Sequence, residues 1–153
     1  MTDEIVAAVA EGQVEHWGGR QDMPQVFAEA SLVCLPTFYG EGVPKALIEA
    51  AASARAIVAT DIPGCREIVR PGENGWLVPP QNVPALADAL DQAIRQPGLC
   101  GEFGQRGRAI VEREFSLESV IDATLSVYGE LVAMPDAESS NPGADPVPLR
   151  RAS

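Results

Sequence analysis

Residues 32–49 read LVCLPTFYGEGVPKALIE, and their pattern decides the fold. Leu32 to Leu35 is a short, continuously apolar run, which fits a parallel strand buried on both faces. Pro36 ends it. Gly40 and Gly42 make a glycine-rich turn, and Pro44 opens a helix predicted through about Ala54. The segment is therefore strand, turn, helix. Glu41 lies in the turn, and Glu49 lies about two helical turns further on, at an E-x₇-E spacing.

A strand that feeds a helix N-terminus aims a row of backbone N–H groups at whatever lies beyond the strand end, a natural seat for phosphate. Carboxylates are natural acceptors for sugar hydroxyls. Together they suit a nucleotide-sugar. Plainer readings exist for each residue. Lys45 and Glu49 stand at i,i+4 and can simply pair, worth about 0.3 kcal/mol. An acid at Glu41 is also what the helix macrodipole favours. Lys45 is either a surface lysine or a phosphate ligand.

Outward from this segment, strands and helices alternate. Residues 4–11 and Asp22 to Ala30 are predicted helices, the second capped by Asp22 and opened by Met23-Pro24. Val14 to Trp17 (VEHW) reads as a strand ended by Gly18-Gly19. Ala56 to Thr60 (AIVAT) is a second apolar strand, followed by the Asp61–Gly64 turn and a short helix predicted over Arg66 to Val69. The PGENG cluster at 71–75 is a turn, and Trp76 to Val78 is the last strand. From Val83 the pattern is helical, with Leu86, Ala87, Leu90 and Ile94 on one face. Pro97-Gly98 breaks that helix. Another runs from about Leu99 to Glu114, weakened by Gly101, Gly104 and Gly107. Ser116 caps a third, with Val120, Ile121, Leu125, Tyr128, Leu131 and Val132 as its apolar stripe. The proline-rich stretch 134–153 is expected to be a disordered tail after a domain spanning 1–133.

This alternation predicts an α/β fold: a Rossmann-like parallel sheet with flanking helices. Ligands in such sheets bind beyond the carboxyl ends of the strands. The loop with Glu41 and the Asp61–Gly64 loop both follow strands, so they share that edge. Gly64 reads equally well as an ordinary turn residue and as a place where backbone approaches a ligand.

The chain has 153 residues, 46% apolar, with a formal net charge of −11. That balance argues against nucleic acid, which is bound through lysine and arginine. No apolar run is long enough for a transmembrane helix, and the acidic N-terminus is unlike a signal peptide. Three scattered cysteines have no metal-like spacing, and the reading is of reduced thiols. No metal-ligand cluster, Ser/His/Asp set, GxGxxG or P-loop is visible. His16, inside the predicted 14–17 strand, reads as a core or sheet-face histidine. Trp17 and Trp76 read as core residues.

From about Val14 to Leu131 the chain resembles the C-terminal, donor-binding half of retaining GT-B glycosyltransferases of family 4. The resemblance is collinear through HWGG, DMPQVFAEASLVCLPT, YGEGVPKALIEAAA, AIVATDIPGCREIV, PGENGWLVPP and the Phe115-Ser116 helix start. It implies that Glu41 meets the donor sugar's hydroxyls as the catalytic-site acid and that Glu49 holds the ribose hydroxyls. It also implies that the Gly42 and Val43 backbone approaches sugar and diphosphate, with Lys45 and Gly64 nearby. Where the family often has glycine this chain has Pro44, which lacks an N–H; Lys45 can offset the lost contact. The implied donor is UDP-linked, used with retention and without a metal ion or other cofactor. The variant motifs are similar to members that build bacterial surface polysaccharides on lipid-linked carriers, in the cytoplasm or at the inner face of the membrane.

The same resemblance implies an incomplete C-terminal half of a GT-B fold. The acceptor domain and the first two donor-domain strands, with the basic residues that grip the diphosphate, have no counterpart here. In the family's sheet order those strands lie between the counterparts of 14–17 and 32–35. Open strand edges and exposed apolar surface are then expected. Two functions follow: a donor-binding piece inactive alone, or an interaction module that associates with itself or with a separate acceptor-domain chain.

Overall fold

The structure is a computed structural model that describes residues 2–40 and 42–133. Glu41 and the tail expected at 134–153 lie outside the described residues. The chain divides into two units, one ending at Phe115 and the other beginning at Ser116.

The first unit is built on a three-stranded parallel sheet in the order β1 (Leu32–Leu35), β2 (Ala56–Thr60), β3 (Gly75–Val78). Leu32 faces Ala56 across the first pair and Ile57 faces Gly75 across the second. All five residues of β2 are buried. This is why its sequence shows no polar alternation: a central parallel strand is covered on both faces.

Six helices accompany the sheet: α1 (Asp3–Ala10), α2 (Met23–Glu29), α3 (Lys45–Ala52), α4 (Pro63–Arg66), α5 (Val83–Arg95) and α6 (Pro97–Glu114). Alternate residues of β2 serve two cores. Ile57 and Ala59 pack with Leu47, Ala50 and Ala51 of α3, Phe27 of α2 and Val111 of α6. Val58 joins Val78 and Ala89 of α5 in the other.

Two glycines permit the closest approaches. A Cβ on Gly104 of α6 would lie 2.1 Å from the Ala54 carbonyl oxygen, and one on Gly75 would lie 2.2 Å from that of Ile57. Gly104, expected to weaken α6, is what lets the helix seat against the end of α3. That end is a Schellman turn: Ala54 N–H donates to Ala51 and Arg55 N–H to Ala50, with Ala54 at φ 55°.

Several expectations are corrected. Residues 14–17 form no strand: Val14, His16 and Trp17 are exposed, with Trp17 at 55%. An extended segment becomes a strand only with a ladder partner, and no described strand lies beside it. His16 and Trp17 are therefore not core residues. Trp76 does sit in β3, half-buried, its ring 4.9 Å from that of Phe103. The short helix starts at Pro63, three residues earlier than predicted, because Ile62 is extended and proline suits the first helical position. On α5 the inward face is Leu86, Ala89, Leu90 and Ala93, whereas Ala87 and Ile94 are exposed. Asp22 precedes α2 but does not cap it with its side chain; its carboxylate pairs with Arg20.

In the second unit the described residues form α7 (Leu117–Ala133). The Ser116 hydroxyl accepts the Ser119 N–H at 3.1 Å, the predicted cap. Leu117, Val120, Ile121, Leu125, Tyr128, Leu131 and Val132 are exposed.

Candidate functional site

Three loops leave the carboxyl ends of the three parallel strands and gather on one edge. The first, Pro36 to Pro44, follows β1. It is anchored by Thr60, the buried last residue of β2, whose hydroxyl donates to the Thr37 carbonyl. Tyr39 N–H donates to the Thr37 hydroxyl at 3.4 Å. Phe38 and Tyr39 stack on each other with centroids 4.5 Å apart, and both are exposed.

Gly42 and Val43 lead into Pro44, which is buried and serves as N-cap of α3 rather than its first residue. No side chain caps this end. The first N–H groups of α3 are thus left to point past the strand edge, as in any uncapped helix start. Lys45 is the first residue of α3 and is 87% exposed at its side chain; Glu49 is 36% exposed. Their charged groups meet at 3.2 Å. The pairing that spacing alone allowed is therefore present. It is weak, since exposed pairs contribute roughly 0–1 kcal/mol, and a ligand can replace it at little cost.

The second loop begins at Asp61. Its N–H donates to the Val78 carbonyl at 2.7 Å, tying the ends of β2 and β3. The Arg66 guanidinium donates to the Asp61 carboxylate at 2.6 Å and holds that carboxyl below the usual aspartate range. Gly64 is buried in the first turn of α4. Parallel pairing of β1 with β2 puts Gly64 on the same edge as Gly42, Val43, Lys45 and Glu49. The predicted residues that are described thus share one edge. Glu41 is not among them.

The third loop, after β3, runs from Pro79 to Asn82. Asn82 caps α5 by accepting the Ala85 N–H at 3.0 Å, and Gln81 holds φ 57°, rare for a residue with a side chain. Between this loop and the first lies a cleft of about 300 Å³. A larger cavity, about 490 Å³, opens at the opposite edge between Arg55, Ala93 and Pro97. Ligands of open parallel sheets bind at the carboxyl edge, so the smaller cleft is the relevant one. Among the described residues no group of three or more His, Cys, Asp or Glu is placed to hold a metal ion, and no helix is long and apolar enough to cross a membrane.

Residue-by-residue reading missed the Thr60–Thr37 tie and the Asp61–Arg66 pair. The first had a signal: Thr60 is the one polar residue closing an apolar strand. The second had only proximity in sequence.

Comparison with known proteins gives this edge a context. The chain matches the family described as glycosyl transferases group 1 over residues 2–96. It is 36% identical over 124 residues to an exopolysaccharide phosphotransferase of Streptomyces coelicolor, covering 80% of this chain and 13% of that protein. Sucrose-phosphate synthase from Thermosynechococcus elongatus superposes with a TM-score of 0.74 at 29% identity, over 86% of this chain and 33% of that one. A TarM variant from S. aureus, solved with fondaparinux, alpha-GlcNAc-glycerol and UDP, gives a TM-score of 0.69 at 29% identity, over 82% and 26%. The chain therefore spans between 13% and 33% of the length of these relatives. The three-stranded parallel sheet and its helices match the fold of GT-B glycosyltransferases over about a third of their chains. With most of its length matched by the family and its sheet built as in those enzymes, the chain belongs to the group 1 glycosyl transferases.

Proposed function

We propose that this chain is the donor-binding part of a retaining, family 4 glycosyltransferase that moves a hexosyl group from a nucleotide-sugar, UDP-linked, without a metal ion. The observation that carries the proposal is the uncapped start of α3 at the carboxyl end of β1, with Glu49 about one turn along it. A diphosphate placed there meets backbone N–H groups aligned with the helix dipole. Glu49, released from Lys45, accepts the two ribose hydroxyls, and Lys45 then neutralises phosphate charge. Glu41 takes the hydroxyls of the donor sugar. Gly42 and Val43 bring backbone close, and Gly64 forms part of the same edge. The match to the group 1 glycosyl transferases supports the class of reaction, and the TarM variant solved with UDP supports the nucleotide.

The 153 residues alone, which span a third or less of the relatives compared, are expected to bind donor weakly and transfer nothing. A thermal-shift panel of UDP- and GDP-sugars tests this. A rise in Tm with UDP-sugars is expected, without product formation. Robust transfer by the purified 153-residue chain would overturn the inactivity, and no shift with any nucleotide-sugar would overturn the donor site.

A second reading is favoured by a specific observation. β1 pairs on one side only among the described strands, and Val14, Trp17 and the apolar residues of α7 are exposed. Such surfaces suit association with a chain that carries an acceptor domain, or self-association. Light scattering separates the cases: a monodisperse monomer in isolation counts against association.

A further inference from the structure

The end of β2 carries two charged side chains, Asp61 and Arg66, whose place follows from the alternation of the strand. Ile57 and Ala59 pack in the core under α3, and Val58 packs in the core under α5. Period-two alternation then assigns Thr60 to the α5 side and Asp61 to the α3 side. Thr60 follows this pattern, since it lines the cleft beside Val83 and Leu86 of α5. Asp61 stays in register with the sheet, because its N–H bond to the Val78 carbonyl extends the β2–β3 ladder. The helix that supplies Arg66 is on the α3 side as well, for Cys65 of α4 packs in the same core as Leu47 of α3. The Asp61–Arg66 pair thus stands on the face of the sheet that α3 covers, at the edge where α3 starts.

A single bond joins the pair, from Arg66 Nε to Asp61 Oδ1 at 2.6 Å. A fork-on-fork pair would use both carboxylate oxygens. Here Asp61 Oδ2 and the two terminal nitrogens of Arg66 have no partner among the described residues. The side chains are 43% and 57% exposed, so these atoms are open to a ligand. Both groups are also held in place, Asp61 by its ladder bond and Arg66 by the buried Gly64 and Cys65 beside it. The pair is neutral as a whole and offers phosphate no net attraction. An acceptor oxygen next to N–H donors instead complements neighbouring hydroxyls, each of which donates and accepts. We infer that the Asp61 carboxylate is a further contact for the hydroxyls of the donor sugar, with Arg66 as its positioning residue. The inference rests on the donor-site reading and adds to it a carboxylate from the central strand, on the side of the sheet opposite the cleft. The Arg66 bond keeps that carboxylate ionised, the form that accepts hydroxyl protons most strongly.

The test uses the full chain, ¹⁵N-labelled, titrated with UDP, UDP-glucose, UDP-galactose and UDP-N-acetylglucosamine. At least one UDP-sugar is expected to bind more tightly than UDP and to move the Arg66 Nε–H resonance, which UDP leaves in place. Asp61→Ala keeps the backbone bond to Val78, so the fold is retained. It is expected to weaken the best UDP-sugar by about tenfold, the size of a hydrogen bond to a charged acceptor, and to leave UDP unchanged. Arg66→Gln is expected to give a smaller loss, again for the UDP-sugar alone, and Arg66→Lys to recover it. An equal loss for UDP and UDP-sugar would mark the pair as a structural tie and overturn the inference. UDP-sugar binding unchanged in Asp61→Ala would overturn it as well, and failure of Arg66→Lys to recover binding would overturn the positioning role. In those cases UDP shifts of the α3 amides leave the donor site standing. Absence of UDP shifts in the parent chain would overturn the donor site and this contact with it.

Discussion

Asn74 is fully buried, and both ends of its amide are used. Nδ2 donates to the Ile68 carbonyl at 2.8 Å, and Oδ1 accepts the Arg70 N–H at 2.7 Å. It pins the 68–75 turn that delivers β3 to the sheet. Asn74→Ala strands two backbone groups in the interior and is expected to cost about 2–4 kcal/mol, checked by urea unfolding. The PGENG cluster announced a turn, but a turn asparagine and a buried anchor look alike until the packing around them is known. Glu114 illustrates a surface counterpart. Hydrogen bonds from Arg113 and then Arg70 hold its carboxyl below the usual glutamate range. A carboxyl depressed in the folded state contributes stability above its unfolded pKa and loses it as pH falls through the folded value. Glu114→Gln is therefore expected to leave a shallower fall in Tm below about pH 4.5 than the parent shows, with the difference small because the group is exposed.

At the scale of elements, Gly104 and Ala54 meet where α6 crosses the end of α3. Gly104→Ala would drive a methyl into the Ala54 carbonyl, so helix or turn must shift; a loss of about 1–3 kcal/mol is expected from calorimetry. Ala54→Gly relieves a left-handed alanine and is expected to stabilise by about 0.5–1 kcal/mol, the gain being partly offset by the greater freedom of glycine in the unfolded chain. These elements also mark how far sequence carried. β1, β2, β3 and α3 were legible because apolar runs bounded by proline and glycine have few other uses. The 14–17 segment was misread because strand-like composition does not supply a pairing partner. The α5 face was drawn around Ile94, yet Ala89 and Ala93 pack inward, since small residues suit the close approach of a helix to a sheet.

For the whole molecule, the strand-end edge was legible before any coordinates, because alternating strands and helices fix which loops gather there. The cleft was not, since its walls come from the first and third loops, the ends of β2 and β3 and the start of α5, which lie far apart in sequence. The chain spans a third or less of the length of the three relatives compared above, and the strand-end edge lies within the part that matches. The central claim is that the β1–α3 segment binds a nucleotide-sugar through its carboxylates. Isothermal titration of UDP-glucose into the full chain, and into Glu41→Ala and Glu49→Ala, tests it most directly. The account predicts measurable binding by the parent and a loss of about ten- to a hundredfold in each variant, the size expected for hydrogen bonds to a charged acceptor. Binding that both substitutions leave unchanged would contradict it.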